Sequence, residues 1–386
     1  MTAGVPSDGD GVDEDDDEAC AAALASLAMS PARLRRMLAG RSAYQAWRQA
    51  VSGCHAEDSD GRVAEAARLI SPAEMIARCR RRGLHVAVLG HPSYPPSLSD
   101  DEEAPAVLFV DGAPAVLDHW PRVAMVGTRS ASIIGREVAS EMAGALATAG
   151  VVVVSGLAPG IDSAALGGAV EAAQAPCVAV LGTAHGGLAS AEQQRLAHCI
   201  AGRGCVVSEL PPGTPGARWR FAVRNRVMAA LAQIVVVVEC HDQGGALHTV
   251  RAARRRHVPV AAVPGSVRAS ASAGTNQLLA DGAACVRHGD DVLALLERVA
   301  DWHRAPARPG ATAQHVPDGL LDPLCAKVLG ALDHQAVGVD ALVLRSGESL
   351  AQVALALERL AAGGLARSEA GFWLRTPHRA ERVDGG

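Results

Sequence analysis

The chain has 386 residues, 49% of them hydrophobic but only 3% aromatic, and carries a formal net charge of −5. No apolar run reaches the ~18 residues of a membrane-spanning helix. The nine cysteines are scattered without a CxxC pair, which argues against a disulfide framework or a zinc ribbon. The start is acidic rather than basic and then apolar, so no secretion signal is expected and the location is expected to be cytoplasmic.

The charge is unevenly placed. Residues 1–18 hold eight acids and no base, so removing them takes −5 to +3 for the body. A like-charge run with nothing to bury is expected to be a disordered tail. Lys327 is the sole lysine among 36 basic residues. Such a skew reflects composition bias, so arginine positions inform more than arginine identity.

In chain order, residues 19–82 read as short Ala- and Leu-rich helices, within a small helical domain expected over 19–90. An extended passage, His91 to Pro96, follows. From about residue 105, β-branched runs alternate with helical segments. Strands are expected at 106–110, 122–126, 151–154, 177–181, 205–207, 234–239, 258–263 and 285–287. Helices are expected at 135–149, 163–173 and 246–256, among others. Continuous apolar strands suit a sheet buried on both faces. The alternation argues an α/β, doubly wound, mainly parallel sheet over 91–300. Residues 301–319 read as a Pro- and Arg-rich linker, and 320–378 as a winged-helix module with its wing around Ala370-Gly371.

Ligands of such sheets bind beyond the carboxyl ends of strands, so the loops there matter most. Gly127-Thr128-Arg129-Ser130-Ala131-Ser132 combines a glycine, hydroxyls and a cation, a pattern able to cradle phosphate. It is neither a Walker A loop nor a GxGxxG fingerprint. Ser155-Gly156 opens a tight loop ending at Asp162, which reads most simply as a helix cap. Cys240, His241, Asp242 and His248 match no common zinc spacing, so no metal is expected. Gly244-Gly245 reads instead as an anion-accepting turn, and Gly265 ends another strand. Arg218, Arg220, Arg224 and Arg226 cluster with Trp219 and Phe221 ahead of a helix expected at 227–232. Guanidinium forks pair with phosphate, and aromatic faces stack on bases. The alternative is a solvated basic face at a helix start. No nucleophile–base set or carboxylate pair is visible as a unit, so a binding surface is expected rather than an enzyme.

Together these segments resemble the bacterial DNA-processing protein A family (DprA, also called Smf). The resemblance rests on Tyr94-Pro95-Pro96-Ser97-Leu98, Val126-Gly127-Thr128-Arg129, Val154-Ser155-Gly156-Leu157-Ala158, Gly160-Ile161-Asp162, Ser208-Glu209, Arg224-Asn225-Arg226, Val263-Pro264-Gly265 and Gly274-Thr275-Asn276. It implies an extended Rossmann-like core that dimerises. Such a protein holds single-stranded DNA in a basic pocket, protects it during natural transformation and helps load the RecA recombinase, with no cofactor. It further implies phosphate contacts from Arg129 and Arg224, Asn225 and Arg226, with the hydroxyls of Thr128 and Ser155 as donors. Backbone amides near Gly127, Gly156, Gly245 and Gly265 would shape the pocket. The chain departs from the family pattern at Pro159, usually Arg, and at Leu166, usually His. It also has Phe221-Ala222 for a Phe-Pro step and Gly244-Gly245-Ala246 for Ser-Gly-Ser. Two other readings are a nucleotide-sensing or protein-docking scaffold and a nucleotide phosphoribohydrolase. The second lacks its expected catalytic Glu, since Gly274-Thr275 runs into Asn276-Gln277.

Overall fold

The computed structural model describes residues 14–27, 29–172, 175–304, 322–332, 337–362, 365–369 and 372–375. Most of the expected linker, the wing turn at Ala370-Gly371 and residues 1–13 of the acidic stretch lie outside these.

The described chain opens with five short helices: α1 (Glu14–Ser26), α2 (Pro31–Leu38), α3 (Ala43–Ser52), α4 (Arg62–Ala67) and α5 (Pro72–Arg80). Ser30, Ser42 and Ser71 start α2, α3 and α5 by accepting the backbone N–H three residues on. The acidic stretch was expected to be disordered through residue 18, yet α1 begins at Glu14. Acids in a first turn are favoured by the positive end of the helix dipole. Next come β1 (His85–Val88), α6 (Pro96–Ser99) and β2 (Val107–Gly112). β1 pairs antiparallel with β2, and Val86, Val88, Val107 and Phe109 share one buried cluster with Leu24, Met37 and Trp47. The helices therefore cap the antiparallel corner of the sheet and do not stand apart as the domain expected at 19–90. One compact unit extends to Trp302.

The rest of this unit alternates: β3 (Arg122–Val126), α7 (Ile133–Thr148), β4 (Val152–Ser155), α8 (Ile161–Ala172), β5 (Cys177–Leu181), α9 (Ala191–Ala201), β6 (Cys205–Ser208), α10 (Arg218–Leu231), β7 (Ile234–Val237), α11 (Ala246–Arg255), β8 (Val260–Ala262), α12 (Ala273–Ala280), β9 (Ala284–Cys285) and α13 (Gly289–Arg304). The nine strands form one sheet in the order β1-β2-β6-β5-β4-β3-β7-β8-β9. From β6 to β9 every pairing is parallel, and only β1–β2 and β2–β6 are antiparallel. Both faces are buried. Along β3, Ala124 and Val126 face one core with α10 and α11, while Val123 and Met125 face another with α7 and α8. Burying a Val or Met side chain in this way contributes roughly 1.5–3 kcal/mol, which is why these strands are largely apolar.

The order reverses at β3. The chain winds outward through β4, β5 and β6, then α10 carries it back so that β7 pairs with β3 on the other side. A switch point of this kind splays the loops at the strands' carboxyl ends and opens a crevice.

A second unit begins at His303. It contains α14 (Pro323–Ala331), β10 (Val337–Gly338), α15 (Val339–Ser346), α16 (Leu350–Ala362), β11 (Ala366–Glu369) and β12 (Phe372–Arg375). Its antiparallel sheet runs β10-β12-β11, and Val328, Leu342, Val353 and Leu357 form its centre. Gly347, at φ 68°, makes the left-handed turn between α15 and α16.

Candidate nucleic-acid interface

The crevice at the β3/β7 switch point is a cleft of about 410 Å³, walled by the loops after β3 and β7, the first turn of α8, and helices α10 and α11. It brings together six of the ten residues named from sequence: Gly127, Thr128, Arg129, Arg224, Asn225 and Gly245. Ser155, Gly156, Arg226 and Gly265 are not among its lining residues.

At Gly127 a Cβ would fall 2.5 Å from Ile161 Cγ1 and 2.8 Å from the Glu239 carbonyl oxygen. Glycine is required there by the packing of β3 on α8, not only by a ligand. The following loop is held from within. The Thr128 amide donates to the Glu239 carbonyl at 2.8 Å. The Ser132 amide and hydroxyl donate to the Glu239 carboxylate at 2.9 and 2.6 Å. Thr128 Oγ1 accepts from the Ser130 amide at 3.2 Å. A carboxylate of the chain thus sits at the start of α7, where the phosphate cradle was expected, and the amides of Thr128, Ser130 and Ser132 are engaged within the chain. Its free contribution is Arg129, which is exposed, with its guanidinium 4.7 Å from the centroid of the Phe221 ring. That cation–π contact holds the charge over the mouth of the cleft.

The Arg-Asn-Arg triplet lies elsewhere than expected. α10 begins at Arg218, so Arg224, Asn225 and Arg226 are in its interior and all three are buried. The Arg224 guanidinium donates to the carbonyls of Gly156 (2.7 Å) and Val180, and its Nε to Asn225 Oδ1 (3.2 Å). It passes so close over Gly156 that no Cβ fits there. Burial pushes its pKa down to about 10, against the pull of Asp162, so it stays charged at neutral pH. Arg226 is forked on Glu209, with both contacts at 2.6 Å. The Asn225 side chain donates to the Gly245 carbonyl at 3.4 Å. These residues tie α10 to the ends of β4, β5 and β6 and to the start of α11. Arg226 is thereby turned to Glu209 and away from the cleft, while Arg224 and Asn225 hold the protein and also line the cleft wall.

Two further expectations change in the same way. Ser155 is fully buried, and its hydroxyl donates to the Met125 carbonyl at 2.6 Å, joining β4 to β3. Gly265 exchanges two 3.1 Å hydrogen bonds with the Asn276 side-chain amide. Gly245 keeps its place: it is exposed at the start of α11.

Beneath the cleft lies Asp162, only 6% exposed. Burial pushes its pKa up to about 6, although Arg224, the amides of Ala158 and Gly127, and Arg129 favour the charged form. Asp162 thereby links the loops after β3 and β4. Arg218 and Phe221, members of the arginine–aromatic cluster, line the cleft as well, Phe221 as the partner of Arg129, and so do His241 and His248, which no sequence pattern marks as ligand contacts. Thr249 Oγ1, on the α11 wall, is buried without a partner among the described residues. The cleft thus gathers Arg129, Arg218, Arg224 and two histidines around one acid, a potential suited to an anionic ligand. Among the described residues no cluster of His, Cys, Asp or Glu is arranged to hold a metal. No helix there is long and apolar enough to cross a membrane.

Comparison with known proteins places this architecture. The family model described as DNA recombination-mediator protein A matches residues 85–297. A Mycobacterium tuberculosis chain named as a DNA processing protein DprA is 40% identical over 273 residues, 70% of this chain and 68% of that one. Protein Smf of Escherichia coli is 30% identical over 284 residues, 73% of this chain and 75% of its own. Among solved structures, DNA processing protein A of Streptococcus pneumoniae superposes with a TM-score of 0.61 at 29% identity, covering 70% of this chain and 95% of that one. The Helicobacter pylori protein, whose structure is described as showing a single-stranded DNA binding mode, superposes at 0.50 with 24% identity, covering 55% of this chain and 96% of its own. The sheet is thus the Rossmann-like sheet of these structures, and the chain belongs to the DNA recombination-mediator protein A (DprA/Smf) family.

Proposed function

We propose that this chain binds single-stranded DNA at the switch-point cleft without turning it over, protects it, and helps load a RecA-type recombinase during transformation or recombination. The family's description as a recombination mediator supports this reading. So does one observation above all: an exposed guanidinium stacked on an aromatic ring at the mouth of a basic cleft. Phosphate meets Arg129 and Arg218, and an unstacked base meets Phe221. Duplex DNA hides its base faces, so such a site favours single strands, with little regard for sequence and with strong salt dependence.

A catalytic reading has less to stand on. The cleft's one acid, Asp162, is buried beneath it and committed to two backbone amides. Pairing into a homodimer through the sheet unit is part of the proposal and follows from family membership. The family's usual basic groups at two positions are replaced by Pro159, which is exposed, and Leu166, which is in the core. Arg218 supplies positive charge at the cleft in this chain. Fluorescence anisotropy of a labelled single strand, with a duplex control and a salt series, tests the reading. Preferential, salt-sensitive binding of the single strand is expected, and equal or absent binding at low salt would refute it.

A further inference from the structure

Helix α10 has a hollow on each side. Opposite the switch-point cleft lies a cavity of about 230 Å³, bounded by the ends of β5 and β6 and by α1, α2 and α5. It is near the lower edge of small-molecule pockets, which run roughly 300–1,000 Å³, so it has room for one planar group.

The two hollows are built alike. Residues two apart on a helix are turned about 200° from each other, so Phe221 lines the cleft while Trp219 lines the cavity. Each aromatic carries an arginine. Arg129 lies 4.7 Å from the Phe221 ring centroid, and Arg220 lies 5.3 Å from that of Trp219. Trp219 is 52% exposed, which leaves ring surface for a ligand. The Nη1 of Arg220 donates to the Pro215 carbonyl at 2.7 Å, but its Nε is buried with no partner among the described residues. The acid in the cavity wall, Glu209, is already forked on Arg226. Arg220 therefore has a charge and a donor left over. α10 also begins without a side-chain cap, which leaves positive helix-dipole potential at the same place. The remaining wall includes Leu34, Met75 and Val223. An apolar slot beside an uncompensated guanidinium fits a planar base joined to a phosphate.

Resting on the single-strand reading, we propose that this cavity takes a second, unstacked nucleobase of the same strand. The base stacks on Trp219 and its phosphate meets Arg220. The strand then straddles the start of α10. A helix with its side chains is about 10 Å across and phosphates along a strand are at least about 3.4 Å apart, so about three nucleotides at most separate the two bases.

Two measurements on the full chain test this. The first is the affinity of Trp219→Ala, Trp219→Phe and Arg220→Ala for a labelled single strand of about 30 nucleotides, a length exceeding one such site. A loss of about tenfold for Trp219→Ala, with recovery in Trp219→Phe, is expected. The second is photo-crosslinking from 5-iodouracil placed singly along the strand, with the attached peptide mapped. Crosslinks to Trp219 or Met75 are expected from a position within about three nucleotides of the one that marks Phe221. Wild-type affinity in Trp219→Ala overturns the second base site and leaves the cleft standing. So does a Trp219→Ala loss that Phe does not restore, or crosslinks confined to the Phe221 side. A wild-type chain that ignores single strands overturns both this inference and the function on which it rests.

Discussion

At the level of single residues, some arginines face the cleft mouth and others hold the protein together. Arg129 is exposed and stacked, so Arg129→Ala should fold normally. Single-strand affinity should fall about tenfold and the salt slope by about one counterion. Phe221→Ala should cost about 1–3 kcal/mol of binding with an unchanged slope, because a base contact releases no counterion. Anisotropy across a salt series reads both, and unchanged affinity in either variant would remove that residue from the interface. Arg224→Ala should act on stability. It strips the charge partner from buried Asp162 and leaves the Gly156 and Val180 carbonyls unpaired. Losing buried hydrogen bonds from a charged donor costs about 1.5–3 kcal/mol each. Urea denaturation measures it, and a variant as stable as wild type would show that these contacts do not matter.

At the scale of elements, Asp162 is the joint between the loops after β3 and β4. Its carboxyl titrates at about 6 in the fold, against an ordinary 3.8. The folded chain therefore holds this proton more tightly than the unfolded chain. The stability it contributes is fully present below about pH 4, is lost as pH rises, and is gone above about pH 6. The swing is on the order of 2–3 kcal/mol. Asp162→Asn should abolish this slope, so wild type should lose stability relative to the variant from pH 4 to 6. Denaturation curves that run parallel across that window would contradict the assignment. The strands were legible in sequence because runs such as Val151-Val152-Val153-Val154 are apolar throughout, as burial on both faces requires. β1 was not, since His85–Val88 falls between the helices expected to residue 82 and the extended passage from His91, and only pairing with β2 makes it a strand. The start of α10 was missed for a related reason. Whether an arginine points inward depends on acceptors distant in the chain, here carbonyls 68 and 44 residues from Arg224. No local pattern reveals them. The loop glycines were found in sequence, but several serve protein packing: Gly156 makes way for Arg224 and Gly127 for Ile161.

At the scale of the whole molecule, the chain divides after Trp302. The cleft is built wholly from the first unit. A chain ending at Trp302 should therefore fold and bind single strands with near wild-type affinity, and a loss of binding would place part of the interface in the second unit. In that second unit the basic side chain of Arg359, on α16, is paired with Asp322 at 3.0 Å. That pairing offers little to a duplex backbone. The winged-helix reading of this unit is therefore coupled, in our proposal, to docking another protein.

The central claim is that the switch-point cleft, led by Arg129 and Phe221, holds single-stranded DNA. The most direct test is an anisotropy titration of wild type and Arg129→Ala against a labelled single strand of about 30 nucleotides and its duplex, across a salt series. Single-strand preference, a steep salt slope in wild type, and a weaker and shallower response in Arg129→Ala are expected. Equal binding of both strand forms, or an Arg129→Ala curve that superposes on wild type, would contradict the claim.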